Sequence, residues 1–318
     1  MWHQAMDDLL PKFLVTGANG FVGGSLCAEL FRRGYAVRAA VRSPNLLGDD
    51  CERVIVDSID SGTDWSAALC GVDVVIHLAA RVHVMNESAA DPLAEFLRVN
   101  LYGTENLARQ AARAGVKRLV YVSSIKVNGE RTILPFTEKD EPKPQDPYGV
   151  SKYEAEQALH RVAAETGLQI VIVRPPLVYG AGVRGNFAQM VKVLRSGIPL
   201  PLASVRNLRS LIYVGNFVDA LIVCATHPAA AGQTYLVSDG EDISTPDLLR
   251  RLGAAMGHPA RLLPCPVVLL QIGGRLLGKS EQVARLLGAL RVDNSKICCE
   301  LQWSPPYSLQ QGLCATVE

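Results

Sequence analysis

The chain has 318 residues, of which 48% are hydrophobic and 20% charged, and its 32 basic and 31 acidic residues leave a formal net charge of +1. These values are typical of a globular protein with a substantial core, and they give no electrostatic signature of a nucleic-acid partner or of an anionic membrane. No early stretch resembles a secretory signal and no later one is apolar for long enough to insert into a bilayer, so we expect a cytoplasmic protein.

The eight cysteines are scattered along the chain without a Cys-x-x-Cys pair. The sequence therefore predicts neither a zinc site nor a disulfide framework. We expect reduced thiols that pack as small hydrophobic side chains, and we expect no metal.

The first predicted strand covers residues 12–16 and is followed at once by three glycines with the spacing Gly-x-x-Gly-x-x-Gly, and then by a helical pattern. Glycines in this setting let the backbone approach a pyrophosphate, and the beginning of the helix offers N–H groups and a positive dipole end. The sequence therefore predicts a dinucleotide-binding turn. Its candidate residues are Gly17, Asn19, Gly20, Phe21, Val22 and Gly23.

The residue that follows the second predicted strand, residues 37–41, normally selects the cofactor. An acidic side chain there binds the ribose hydroxyls of NAD, whereas an arginine pairs with the 2′-phosphate of NADP. This chain has Arg42 at the position and no acid. NADP(H) is therefore the preferred cofactor, and NAD(H) stays possible.

Further predicted strands over residues 53–56, 73–78 and 116–123 alternate with helical patterns, one of which covers residues 93–114. This alternation predicts an α/β fold with a Rossmann-type, doubly wound parallel sheet, in which ligands bind at the carboxyl ends of the strands. The cofactor candidates at these strand ends are Asp57, Ser58, Leu78, Ala79, Ala80 and Pro175.

A tyrosine and a lysine, Tyr148 and Lys152, stand four residues apart at the start of a helical pattern that follows Pro147. They lie on one helix face, where the ammonium can favour the phenolate and support acid/base chemistry on an alcohol or ketone. By itself the pair is also compatible with a solvated helix face. Ser123 and Ser124, at the end of the predicted strand 116–123, bring hydroxyls to the same edge of the sheet.

Taken in this order, the glycine motif, the serine pair and Tyr-x-x-x-Lys resemble the extended short-chain dehydrogenases/reductases, in their NAD-dependent epimerase/dehydratase branch that acts on sugar nucleotides. The resemblance covers nearly the whole chain. It implies that Ser124 hydrogen-bonds the reacting oxygen, that Tyr148 transfers the proton, and that Lys152 binds the nicotinamide ribose while acidifying the tyrosine. It also implies that Asn100 supports the lysine through water.

Several chemistries of this branch use the same three residues. Sugar-nucleotide 4,6-dehydratases carry an acidic pair where this chain has Ile125 and Lys126, so dehydration is disfavoured. The 4-epimerases commonly have an acid after the second strand and often an asparagine at the position of Leu177, so epimerisation is weakened and stays open. The runs over residues 79–85 and 123–129 most resemble bacterial reductases of UDP-linked 4-keto-6-deoxy-N-acetylhexosamines.

The resemblance therefore implies NADPH-dependent reduction of the C4 ketone of such a UDP-sugar, an oxidoreductase step toward surface polysaccharide (O-antigen) precursors. One alternative is a UDP-hexose or UDP-N-acetylhexosamine 4-epimerase with bound NAD. Another is an NADPH-dependent reductase of a ketone that is not a sugar, such as a steroid. A non-catalytic dinucleotide sensor of the same fold is disfavoured because such proteins usually lack the tyrosine and lysine.

The strand–helix alternation loosens after about residue 186. We predict a dinucleotide-binding domain over residues 1–185, which carries the catalytic residues, and a smaller substrate lobe over residues 186–318 that is not an independent domain. Family members often dimerise through helices corresponding to residues 93–114 and 148–165, so a homodimer is expected.

Substrate candidates come from both parts of the chain. A planar guanidinium can grip a diphosphate with two parallel hydrogen bonds, which makes Arg209 the candidate for the UDP diphosphate. Asn186 is the candidate for the nucleotide. Beside Ser124, the candidates close to the sugar are Arg81, His83 and Lys126.

Overall fold

The computed structural model describes residues 10–42, 51–82, 91–183 and 185–317. Short apolar runs form strands within these ranges, and the longer amphipathic runs form helices. The strands are β1 (Phe13–Thr16), β2 (Val37–Val41), β3 (Glu52–Ile55), β4 (Val74–His77), β5 (Arg118–Val122), β6 (Gln169–Arg174), β7 (Leu177–Tyr179), β8 (Arg209–Tyr213), β9 (Thr234–Leu236) and β10 (Asp242–Ile243).

The helices of the described ranges connect these strands and cover both faces of the larger sheet. They are α1 (Phe21–Arg32), α2 (Ser66–Leu69), α3 (Pro92–Leu97), α4 (Thr104–Arg113), α5 (Pro147–Thr166), α6 (Asn186–Arg195), α7 (Val214–Thr226), α8 (Thr245–Ala255), α9 (Val267–Leu276), α10 (Ser280–Leu287), α11 (Ser295–Leu301) and α12 (Leu309–Val317).

Seven strands form one parallel sheet in the order β3-β2-β1-β4-β5-β6-β9. Successive side chains of β1 point to opposite faces, so that Phe13 and Val15 belong to one buried cluster and Leu14 to the other. The strand order reverses between β1 and β4, which makes the edge above these two strands the expected ligand crevice. The predicted Rossmann-type, doubly wound fold is therefore confirmed.

A second sheet has the order β10-β8-β7 and carries the smaller lobe. Side chains from β7 and β8 and from α6, α8 and α12 pack together in its own apolar cluster, which includes Tyr179, Phe187, Leu211, Leu252 and Leu313. Because β7 precedes residue 186 and pairs with β8, this lobe takes a strand from before the expected boundary. The division at residues 185 and 186 stays a prediction.

The helix predicted over residues 93–114 is interrupted. The chain forms α3, then a π-helical segment at Arg98–Gly103, and then α4. Gly103 lies against residue 59, where a Cβ would come within 2.7 Å of the Ile59 Cγ2 atom. Such π segments often occur at functional sites because they redirect a side chain within a helix, and this segment contains Asn100.

Candidate active site

The turn between β1 and α1 requires glycine at positions 17 and 23 and leaves little room for a side chain at Gly20, where a Cβ would lie 3.1 Å from the Gly17 carbonyl oxygen. Gly17 has a φ of +68°, and the Gly20 N–H donates to the Gly17 carbonyl at 2.9 Å. A Cβ on Gly23 would lie 2.1 Å from that carbonyl oxygen, and one on Gly17 would lie 2.9 Å from the Ala79 nitrogen. Gly20 caps α1 without a side-chain hydrogen bond, so the first N–H groups of the helix are available to an anion. The turn therefore fits the pyrophosphate of a dinucleotide.

The other cofactor candidates lie at the carboxyl ends of neighbouring strands. The Ala79 N–H donates to the Thr16 hydroxyl at 3.2 Å, which fixes the end of β4 beside the glycine turn. Arg42 is exposed after β2, and the Pro175 carbonyl after β6 accepts a hydrogen bond from the Ile125 N–H at 3.0 Å. Of the remaining candidates, Asn19, Asp57 and Ser58 are exposed, and Phe21, Val22, Leu78 and Ala80 are half-buried.

Helix α5 brings the tyrosine and the lysine to the same strand edge. Asp146 caps the helix by accepting from the Gly149 N–H at 2.7 Å, and Pro147 occupies the first turn, where its missing N–H costs nothing. One turn later, the Lys152 ammonium donates to the Val122 carbonyl at the end of β5, at 2.8 Å. Ser124 follows two residues after Val122, and its interaction with the Tyr148 phenol lowers the pKa of that phenol. The structure thus brings Ser124, Tyr148 and Lys152 together, and their catalytic roles stay predictions.

Burial is the main influence on the pKa of Tyr148. Burial raises the pKa of Tyr148, the charge of Asp146 raises it further, and the hydrogen bond with Ser124 opposes both. The lysine nitrogen lies 5.9 Å from the centre of the tyrosine ring and 4.6 Å from that of Tyr121. Without a bound dinucleotide, burial therefore dominates the pKa of the phenol, and the acidification of Tyr148 by Lys152 stays a prediction.

Burial lowers the pKa of Lys152 to about 7, against the opposing charge of Glu156. The usual lysine value is 10.5, so between these two pH values the unfolded chain holds a proton that the folded protein has lost. Stability must then rise with pH in this interval. We expect Lys152 to contribute an increase in the free energy of unfolding of about 1 kcal/mol per pH unit between about pH 7 and 8.5, in addition to the contribution of the thiols, which the wild type shares with a variant that lacks the lysine.

Urea unfolding of the wild type and of Lys152→Met across this pH interval measures the effect. The methionine variant lacks the titrating group, so its stability should follow a shallower line. Parallel lines for the two proteins would contradict the lowered pKa.

Asn100 holds the catalytic helix through direct contacts. Its amide nitrogen donates to the Ser151 hydroxyl at 2.9 Å and to the Arg81 carbonyl at 3.0 Å, and its oxygen accepts from the Arg81 N–H at 2.8 Å. The Ser151 hydroxyl in turn donates to the Tyr148 carbonyl at 2.8 Å. Asn100 therefore ties the segment after β4 to the first turn of α5, which positions Tyr148 and Lys152.

A buried ion pair beneath the site was not predicted from the sequence. Arg174, at the end of β6, donates to both carboxylate oxygens of Glu156 at 2.9 and 2.5 Å, and to the Asn128 side chain at 3.0 Å. The Ser123 hydroxyl donates to Glu156 at 2.5 Å. The available signal was a glutamate four residues after Lys152 on the same helix face, together with an arginine that ends an apolar strand.

His77 is the second feature that the sequence reasoning missed. It is fully buried at the end of β4, with its ring nitrogens 2.7 Å from the Thr16 hydroxyl and 3.0 Å from the Thr104 hydroxyl. Its ring stacks on Tyr121 at 5.9 Å between ring centres. Burial, helped by the charge of Lys152, lowers its pKa to about 3. His77 is therefore neutral near pH 7 and links β1, β4 and α4.

Two of the predicted substrate residues already have strong partners. The Lys126 ammonium forms ion pairs with Asp146 and with Glu130, the latter at 3.3 Å, so its charge is neutralised by carboxylates. The Arg209 guanidinium donates to the Arg285 carbonyl at 2.5 Å, and burial lowers its pKa. Lys126 is thus held by the N-cap of the catalytic helix, which weakens its prediction as a substrate cation.

The other three substrate candidates differ in how well they are placed. The Arg81 guanidinium lies over the Phe96 ring, 5.6 Å from its centre. Asn186 begins α6, but its side chain is outside the described part of the structure. His83 lies outside the described residues.

Comparison with known proteins gives a family match over residues 13–238, to the model described as the NAD dependent epimerase/dehydratase family. The chain is 44% identical over 317 residues to the UDP-glucose 4-epimerase of Vibrio cholerae, which covers 98% of this chain and 96% of that protein. It is also 30% identical to a 3-beta-hydroxysteroid dehydrogenase of Mycolicibacterium neoaurum over 85% of this chain and 75% of that one.

Among solved structures, MoeE5 in complex with UDP-glucuronic acid and NAD superposes with a TM-score of 0.78. It has 25% sequence identity and covers 96% of this chain and 97% of MoeE5. The shared fold agrees with the parallel sheet described above. The chain therefore belongs to the NAD dependent epimerase/dehydratase family, within the extended short-chain dehydrogenases/reductases.

Proposed function

We propose that this protein is a UDP-hexose 4-epimerase that holds NAD and inverts C4 of UDP-glucose or of a UDP-N-acetylhexosamine. The observation that carries the proposal is the 44% identity with the Vibrio cholerae UDP-glucose 4-epimerase over 98% of the chain. A match over nearly the whole length outweighs the short runs at residues 79–85 and 123–129 that favoured a reductase. The MoeE5 complex with NAD supports NAD rather than NADP as the cofactor.

Inversion at C4 needs a reversible transfer of hydride and proton. A bound NAD would be held by the glycine turn of residues 17–23 and would supply a reversible hydride acceptor for C4, from which the hydride can return to either face of the sugar. Tyr148 takes up the proton of the C4 hydroxyl and gives it back, and Ser124, which interacts with Tyr148, holds the reacting oxygen. Lys152 stabilises the phenolate form electrostatically while its bond to the Val122 carbonyl keeps it in position.

A C4 reductase of UDP-linked 4-keto-6-deoxy-N-acetylhexosamines is the second candidate function. Three observations favour it. Arg42 is exposed at the position that selects the cofactor, which suits NADPH. Leu177 is 43% exposed where many epimerases have an asparagine, and it offers no hydrogen bond to a sugar. The raised pKa of Tyr148 keeps its proton in place, as a donor to a ketone requires.

An assay without added reductant distinguishes the epimerase from the reductase, because only the epimerase converts its substrate under this condition. Purified protein is incubated with UDP-glucose, and separately with UDP-N-acetylglucosamine, and the galacto-configured products are detected by NMR. The dinucleotide released on denaturing the protein is identified in parallel. We expect C4 inversion without added cofactor and release of NAD.

The reductase is tested by measuring the oxidation of NADPH, and separately of NADH, in the presence of the 4-keto UDP-sugar. This substrate is generated in the assay mixture itself. Absence of inversion, combined with NADPH oxidation, would replace the epimerase with the reductase. Tyr148→Phe serves as the catalytic control in both assays.

A further inference from the structure

Helix α9 of the smaller lobe has an outward face made of large apolar side chains. Val268 is 62% exposed, Leu269 57%, Ile272 47% and Leu276 82%, and Leu277 follows at 74%. These five residues are called the α9 surface. They recur at spacings of three and four residues on one side of the helix and therefore form a continuous apolar stripe. An apolar patch of this kind marks a binding surface more often than a scattered single residue does.

The opposite side of α9 is packed into the lobe. Leu270 contacts the apolar cluster of the lobe, and Gly274 is buried against α10, where a Cβ would lie 2.7 Å from the Val283 Cγ2 atom. The helix is thus fixed by its own inner side while its outer side is also apolar. A helix with apolar side chains on both its inner and its outer side needs an apolar environment on each of them, and the part of the chain that the structure describes supplies only the inner one.

The surroundings of α9 carry positive charge. Residues 248–280 contain five arginines and lysines and no aspartate or glutamate, although the whole chain has a net charge of only +1. Arg250 and Arg251 are neutralised by Asp247 and Glu241. Arg275 and Lys279 flank the α9 surface, are exposed, and form no ion pair within the part of the chain that the structure describes.

We propose that the α9 surface docks on an anionic lipid bilayer. Its apolar side chains would lie at the boundary between the headgroups and the acyl chains, and Arg275 and Lys279 would lie at the lipid phosphates. Apolar residues flanked by lysine and arginine are the composition of helices that lie in a membrane interface. No helix of the described ranges has both the length and the apolar content needed to cross a bilayer. The proposed contact is therefore peripheral.

Charge complementarity selects lipid over a second copy of the chain. Two α9 surfaces placed face to face would bring four cations together, Arg275 and Lys279 of each copy, with Glu281 as the nearest acidic residue in the sequence. Like charges in contact oppose association, whereas anionic headgroups neutralise them. Docking would keep the enzyme at the membrane surface, and it does not depend on which C4 reaction the active site performs.

Flotation of the full chain with vesicles tests the proposal. Vesicles of phosphatidylcholine with phosphatidylglycerol are compared with vesicles of phosphatidylcholine alone. We expect the protein to float with the anionic vesicles, and we expect added salt to reduce the bound fraction because it screens the headgroup attraction. The variants Val268→Ser/Leu276→Ser and Arg275→Gln/Lys279→Gln should each lose this binding.

Phe31→Ser is the matched control, because Phe31 is 51% exposed on α1 of the other lobe and its loss should leave flotation unchanged. Turnover of soluble UDP-sugar by each variant reports folding separately from docking. Failure of the wild type to float would overturn the proposal, as would flotation that the two double variants leave unchanged. A change from dimer to monomer in Val268→Ser/Leu276→Ser, without wild-type flotation, would assign the surface to a second copy instead.

Discussion

Tyr148→Phe should lower turnover by about 10³-fold or more, because removing a positioned proton donor typically costs about 10² to 10⁴ in rate. The hydroxyl is the only group removed, and it is the group that interacts with Ser124 at the strand edge. The backbone of α5 stays anchored, since Ser151 bonds the carbonyl of residue 148 rather than its side chain. Steady-state rates with the UDP-sugar that the wild type converts measure the loss.

Dinucleotide binding by the same variant is the control. The glycine turn and Lys152 are unchanged, so the affinity for NAD measured by calorimetry should stay within about threefold of the wild type, a difference under about 1 kcal/mol. Turnover close to the wild-type rate would remove Tyr148 from the chemistry. Loss of both turnover and NAD binding would indicate instead that the residue acts on the fold of the site.

Glu156→Gln should destabilise the protein by about 3 to 5 kcal/mol, because removing one partner of a buried ion pair leaves the other charge uncompensated. Glu156 is 1% exposed and Arg174 is 6% exposed, so water does not replace the lost carboxylate. Chemical unfolding at neutral pH measures the change. Ser123 also loses its charged acceptor, so turnover should fall as well.

The double variant Glu156→Leu/Arg174→Met distinguishes the cost of an uncompensated charge from the cost of lost packing. Replacing both charges by apolar side chains of similar size removes the uncompensated charge, so its stability should exceed that of Glu156→Gln. Arg250→Ala is the surface control, since its partner Asp247 and Arg250 itself are more than half exposed, and its effect should stay below about 0.5 kcal/mol. Equal losses of unfolding free energy in Glu156→Gln and Arg250→Ala would show that the buried ion pair contributes no more to stability than a surface ion pair.

Local spacing was enough to predict the glycine turn and the catalytic pair. Gly17, Gly20 and Gly23 lie within one turn, and Tyr148 and Lys152 lie within one turn of helix, so their geometry follows from helix and turn stereochemistry alone. The parallel sheet was also predictable, because alternating strands and helices allow few other arrangements. The choice between epimerase and reductase was not, since both use the same residues.

Features that depend on contacts between residues far apart in the sequence could be identified only from the tertiary structure. The pairing of Glu156 with Arg174 and of Lys126 with Asp146 joins residues 18 and 20 positions apart, and no local pattern specifies such partners. The direction of the Tyr148 pKa also required the tertiary structure, because it is set by how far the fold excludes water from the phenol.

The net charge of +1 gives no indication of the α9 surface or of the two cations that flank it, because a sum over the chain carries no information about position. The sequence by itself thus determined the family and the sheet and predicted Ser124, Tyr148 and Lys152 as the catalytic residues, because the patterns that carry them are short-range. The tertiary structure decided the charge states and the partners of those residues, because both depend on burial and on side chains that meet only after folding.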